Sequence, residues 1–248
     1  MSGETAGTKG PGTLYGIGVG PGGEGMITVK GAQVLGRVDL IFTASSTKNQ
    51  HSLAVEIAAP HIPPATPVRV LGFPMTKDPE ALEKAWEENA RLVIRELQQG
   101  KDAAFLTVGD CLTYSTFGYV VRQVKRLAPH IRICSIPGIT AFQAAAARLN
   151  QPLVEGEESM LLVSGVGGGD TFRKMGSKPE NVVFLKAYRN AGDIVDALEE
   201  NGMGAGSVAV TSCGRADESI ETDIRNLRAR RPNYWTLILC KKPGHEEN

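Results

Sequence analysis

Short apolar runs alternate along this chain with longer stretches whose apolar residues return every three or four positions. "TLYGIGVG" at 13–20, "VDLIFTA" at 38–44, "PVRVLGF" at 67–73 and "DAAFLTVG" at 102–109 read as strands, short and nearly continuous in apolar character. Between the last two lies a helical pattern from Pro79 to about Gln99, with Leu82, Ala85, Trp86, Ala90, Leu92, Val93 and Leu97 forming a broad stripe. Asp78 can cap that helix, Pro79 suits its first turn, and Gly100 can end it. An amphipathic "TFGYVVRQVKRL" follows, then a strand in "IRICSIPG" that runs through a Pro-Gly turn into an alanine-rich helix from about Ala141. Further strands are predicted at "SMLLVSG", "NVVFLKA", "SVAVTSC" and "WTLILCK", with helices near Thr171 and Asp193.

Strand, helix, strand in that order predicts an α/β fold: an N-terminal domain with a mostly parallel sheet and a C-terminal domain whose crowded last strands make its sheet mixed. The expected divisions are a loose tail at 1–12, a first α/β domain at 13–128 and a second at 129–248.

Composition narrows the partners. With 248 residues, of which 42% are hydrophobic, the chain can fill real cores. Its 27 basic residues balance 27 acidic ones, so no global field draws it to nucleic acid or an anionic membrane, and any anionic ligand must meet a local basic patch. The cysteines at 111, 134, 213 and 240 form no CxxC pair and have no histidine spaced to complete a zinc site. No metal is assigned, and buried thiols in a reduced cytoplasm are expected. The stretch "MSGETAGTKGPG" has no apolar core and the chain no uninterrupted apolar run of about eighteen residues, so neither a signal peptide nor a membrane span is expected.

Three strand ends carry the candidate chemistry. Gly18, Gly20 and Gly23 satisfy GxGxxG after the first strand, with Asp39 further on, the outline of a dinucleotide fingerprint. Yet Asp39 precedes its strand rather than ending it, and Pro21 removes an amide that a pyrophosphate would want. Bare backbone against an uncharged ligand face is the alternative. "FLTVGDCLTYSTFGYVV" sends the fourth strand into Gly109 and Asp110 and then a hydroxyl-rich loop, and "IPGITAFQAAAA" again joins a strand end to a small-residue turn. Such ends collect at the carboxyl edge of an open α/β sheet, where ligands bind.

In this order and spacing, "YGIGVGPG", "VGDCLTYSTFGYV" and "IPGITAFQAAAA" resemble the tetrapyrrole methylase family of cobalamin biosynthesis, over about Leu14 to Leu239. "LTYSTFGYV" and "NQPLVEGEE" resemble the branch that methylates C20 of precorrin-2 or cobalt-factor II. One departure is Cys111, where members usually carry proline after Gly-Asp.

The resemblance implies S-adenosylmethionine as methyl donor, bound in a cleft between the two domains, a tetrapyrrole substrate and a homodimer. It places Pro21, Gly109, Asp110, Leu112, Ser115, Thr116, Thr140 and Ala141 at the donor, with Lys186, Cys213 and Thr236 closing on its adenosine. For the substrate's carboxylates the candidates are Lys48, His51 and Arg189, since a rim of acetates and propionates needs cations. For a general base they are Tyr114, Asp110 and His51, and Asp110 has the alternative of bonding loop amides or the donor's amino group. A methylase acting on uroporphyrinogen III, or at C11 or C17, would share the first and third motifs. A nicotinamide-dependent oxidoreductase and a non-catalytic tetrapyrrole carrier are the readings from other classes.

Overall fold

The computed structural model describes residues 10–46 and 52–242, and the chain divides into two units after Thr140. In the first, strands β1 (Leu14–Gly18), β2 (Leu40–Ser46), β3 (Val68–Phe73), β4 (Ala103–Thr107) and β5 (Ile133–Ile136) form one sheet in the order β3-β2-β4-β1-β5. Every pair in it is parallel. Helices α1 (Val29–Leu35), α2 (Leu53–Ala58), α3 (Pro79–Gln98) and α4 (Phe117–Leu127) lie in the connections.

Alternation along the strands sorts side chains to two faces. Leu14, Phe42, Leu71 and Phe105 pack with Ala90, Val93 and Leu97 of α3 and Phe117, Val120 and Val124 of α4. Ile17, Ile41, Ala104 and Leu106 pack on the other face with Val34 and Leu35 of α1 and Ala54 and Ile57 of α2. The capping of α3 is as its sequence predicts: Asp78 Oδ1 accepts from the amides of Glu80 at 3.0 Å and Ala81 at 3.4 Å, and Gly100 takes φ +78° after the last turn. Leu92 departs from the predicted stripe and faces solvent. Polar Asn89 and Glu96 are buried on this helix instead, Asn89 donating to the Gly72 carbonyl at 2.8 Å and Glu96 pairing with Arg69 and Lys101.

The second unit carries β6 (Met160–Ser164), β7 (Asn181–Leu185), β8 (Ser207–Thr211), β9 (Ser219–Glu221) and β10 (Thr236–Lys241) in the order β6-β7-β10-β8-β9. The sheet is mixed: β6 and β7 run parallel, while β10 is antiparallel to both β7 and β8. Helices α5 (Ala141–Leu149), α6 (Asp170–Arg173) and α7 (Ala191–Glu200) complete it, and Ile194, Val195 and Leu198 of α7 share a core with Val182, Phe184, Ala209 and Ile238. The short β9 has no counterpart in the expected strands.

The expected division after residue 128 differs from this arrangement. β5 pairs with β1, Leu14 opposite Ile133 and Ile17 opposite Ile136, so the segment at 129–140 completes the first sheet. Among the described residues no helix is long and apolar enough to cross a membrane.

Candidate functional site

At the carboxyl edge of the first sheet the turns after β1, β4 and β5 meet backbone to backbone. Gly20 and Gly109 form an antiparallel bridge, with N–H to carbonyl distances of 3.2 and 2.8 Å, and Val19 N–H donates to the Thr107 carbonyl at 2.9 Å. A Cβ on Gly18 would stand 2.5 Å from the Gly109 oxygen and 2.7 Å from the Gly138 nitrogen; one on Gly138 would stand 2.2 Å from that same oxygen. Only glycines allow this junction. Pro21 is buried in it.

Asp110 fastens the turns together. Its Oδ1 accepts from the Leu112 and Thr113 amides at 2.9 Å each and from the Thr113 hydroxyl at 3.0 Å, and its Oδ2 accepts from the Gly138 amide at 3.1 Å. Burial raises this carboxyl, but the bonds from Leu112, Gly138 and Thr113 together outweigh it and hold it below the usual aspartate range. Both oxygens are engaged in the loop, which is the amide-bonding alternative named for Asp110 above. Cys111 points into the core, its thiol donating to the Ile136 carbonyl at 3.4 Å. Burial, and then the Asp110 charge, push that thiol up to about 11, so it is no nucleophile at neutral pH.

Around this junction the loop side chains open outward. Leu112 and Tyr114 are exposed, Tyr114 at φ +49°, and Ile139 is exposed beside Thr140. Ser115 Oγ accepts from the Phe117 amide at 3.1 Å and starts α4, and Thr116 is half-buried beside it. Residues 18–23, 109–116 and 137–141 include no lysine, arginine or histidine. A pyrophosphate would find no countercharge there. Asp39 lies at the opposite, amino edge, where its carboxylate accepts from the Asp102 amide at 2.8 Å. The dinucleotide outline in the glycines therefore lacks its ribose partner.

The second unit has its own strand-end cluster. Lys186 follows β7 at φ +58° and Ser212 follows β8 at φ +53°, two non-glycine residues in the left-handed region on one sheet edge. Thr236 starts β10 on that edge, buried, its hydroxyl 2.8 Å from that of Thr211 and its carbonyl accepting from Ala187 at 2.9 Å. Cys213 is buried next to Ser212, and burial followed by the Glu218 charge pushes its thiol up to about 11. Glu218 accepts from the Gly214 amide at 2.7 Å and from Arg148 Nε of α5 at 2.7 Å, bracing the loop that holds Cys213.

Of the expected site residues, Pro21, Gly109, Asp110, Leu112, Ser115, Thr116 and Thr140 belong to the strand-end turns of the first unit, and Lys186, Cys213 and Thr236 to one edge of the second. Ala141 opens α5, in the second unit. Arg189 is exposed, its guanidinium carbon 5.3 Å from the Tyr188 ring centroid. Lys48 and His51 lie outside the described residues. Sequence reasoning missed Gly138 and Glu218 as residues that brace these turns.

A family model for tetrapyrrole (corrin/porphyrin) methylases matches residues 13–227. The chain is 28% identical to the cobalt-precorrin-2 C(20)-methyltransferase of Salmonella typhimurium, covering 93% of this chain and 97% of that one. It is 39% identical, over 60% of this chain and 63% of the relative, to the probable cobalt-precorrin-2 C(20)-methyltransferase of Methanocaldococcus jannaschii. Among solved structures, a cobalt precorrin-4 methyltransferase matches with a TM-score of 0.69 at 21% identity, over 92% of this chain and 94% of that one. The uroporphyrin-III C-methyl transferase of Thermus thermophilus, complexed with S-adenosyl homocysteine, matches at 0.68 and 20%, over 93% and 98%.

Proposed function

Because the chain belongs to the tetrapyrrole (corrin/porphyrin) methylase family, we propose that it transfers the methyl group of S-adenosylmethionine to C20 of precorrin-2, or of cobalt-factor II, in cobalamin biosynthesis. The observation that carries the donor assignment is the cation-free junction of three turns. Backbone, hydroxyls and exposed apolar side chains suit a net-cationic sulfonium nucleoside, and the one charged side chain there, Asp110, favours it, whereas a phosphate ligand would be repelled and left without a countercharge. Ser115 and Thr116 would bond its polar groups, Pro21 and Leu112 would wall it, and the backbone at Gly109, Asp110, Thr140 and Ala141 would orient it. Lys186, Cys213 and Thr236 are the adenosine contacts in this reading. C20 is favoured over other ring carbons by "LTYSTFGYV" and by the C20-methyltransferase relatives.

The donor supplies an activated methyl with a neutral leaving group. As the C–S bond breaks its electron pair stays on sulfur, a C–C bond forms from the electron-rich C20, and the C20 proton must then leave. The chain's own task is in-line positioning at about 3 to 3.5 Å, which can lower a barrier by roughly 7 to 11 kcal/mol. For the proton, Asp110 has both oxygens engaged, which leaves Tyr114 as the described candidate. Tyr114→Phe should lower kcat by about 10²-fold if the phenol takes part; an unchanged kcat passes the role to His51 or to solvent. Homodimerisation and a cytoplasmic setting complete the proposal, the former read by sedimentation.

Labelled donor presented with precorrin-2, sirohydrochlorin and its cobalt complex tests the reading, with the methylated carbon located by NMR. Label at C20 supports it. Label at C11 or C17, or none from a chain that binds the donor, overturns it.

A further inference from the structure

Three aromatic rings stand in a row on the edge of the second unit that holds Lys186 and Thr236. Tyr188 and Tyr234 meet edge to face with centroids 5.4 Å apart, and Tyr234 meets Trp235 the same way at 5.0 Å. Tyr234 is 43% and Trp235 38% exposed, a large apolar surface to leave in water. Cations sit along it: Arg189 over Tyr188 at 5.3 Å, Lys186 over Tyr234 at 6.0 Å and Arg215 over Trp235 at 5.8 Å. Among the described residues Arg189 has no carboxylate partner, while Arg215 pairs with Asp217 through Nε at 3.3 Å.

The row is built rather than loose. Trp235 N–H donates to Asn233 Oδ1 at 2.9 Å, the Trp235 carbonyl accepts from the Ser212 amide at 3.2 Å, and Asn233 Nδ2 donates to Ser212 Oγ at 3.2 Å. The two residues with left-handed backbone, Lys186 and Ser212, hold its ends to β7 and β8. Strain of this kind collects where a ligand must be clamped.

We infer that this row is the docking face for the rim of the flat, polycarboxylate macrocycle, with Arg189 and Arg215 taking carboxylates from its two ends and the rings covering apolar surface between them. The inference rests on the tetrapyrrole reading above. Charge complementarity selects the occupant: a disc fringed with acid groups needs cations at separated points, and the planar fork of arginine binds carboxylate in bidentate fashion. Arg215, Tyr188, Tyr234 and Trp235 thereby join Arg189 as residues that select the substrate.

The chain has two tryptophans, so Trp86→Phe leaves Trp235 as the sole tryptophan, excited at a wavelength its tyrosines do not absorb. Sirohydrochlorin should quench that emission to saturation. Adding Arg189→Gln and Arg215→Gln should raise the half-saturating concentration at least about tenfold, with the calorimetric affinity for S-adenosylhomocysteine unchanged. In turnover, Trp235→Ala should raise KM for the macrocycle and leave KM for the donor in place, circular dichroism reporting that each variant is folded. Half-saturation indifferent to the arginines would overturn the inference. Emission answering S-adenosylhomocysteine and not the macrocycle would assign the rings to adenine instead, and emission that follows protein concentration alone would assign them to a second copy. Failure of the methylase reading looks different: the unsubstituted chain would then bind neither S-adenosylhomocysteine nor any macrocycle.

Discussion

Asp110 joins two turns of the first unit through four donors, and its ionised form is the one they favour. Asp110→Asn turns one acceptor oxygen into a donor facing an amide N–H, which should lower stability by about 1 to 2 kcal/mol at pH 7 in denaturant unfolding. Since the folded carboxyl is depressed, its contribution is full above the unfolded aspartate range near 3.9 and is lost as pH falls through the folded value. The variant's stability should therefore decline less steeply than the parent's in acid. The thiols make a second residue-scale case. Burial pushes Cys111 and Cys213 up to about 11 and Cys240 up to about 12, whereas Cys134 is only half-buried. Native protein at pH 8 should show a single fast thiol toward a disulfide reagent, and Cys134→Ser should remove it. Aspartate after glycine at a strand end was visible in the sequence as a site residue, but the partner that makes it a clamp, the Gly138 amide, lies 28 positions away and carries no local signature.

The junction of β1, β4 and β5 sets how closely three elements approach. Gly138→Ala would force its methyl to 2.2 Å from the Gly109 carbonyl oxygen, a backbone atom that cannot swing aside. The strand ends must part, so about 1 to 3 kcal/mol of stability and most affinity for S-adenosylhomocysteine should go together, read by thermal unfolding and calorimetry. Elements with long periodic patterns were legible: α3 with its Asp78 cap, and every strand with a continuous apolar run. β9 was not, because three residues carry no pattern and the strand exists through its pairing with β8. The left-handed backbone at Lys186 and Ser212 was equally hidden, since neither residue type announces that conformation.

Across the whole chain, the alternation of strand and helix foretold two α/β sheets, one parallel and one mixed, but not where one ends. The membership of β5 is decided by its register against β1, more than a hundred residues earlier, and no local property of "IRICSIPG" records that pairing. Separately expressed fragments check the division: one ending at Thr140 should retain a cooperative unfolding transition, and one ending at Ala128, with the β1 edge stripped, should lose it or aggregate. The turns of the first unit that hold no cation have one more consequence. In the reading proposed above, added salt should loosen the grip on the acid-fringed ring, met by Arg189 and Arg215, more than the grip on the methyl donor, whose turns bring a single charge, that of Asp110. An enzyme so arranged would let the pigment go in brine before its nucleoside.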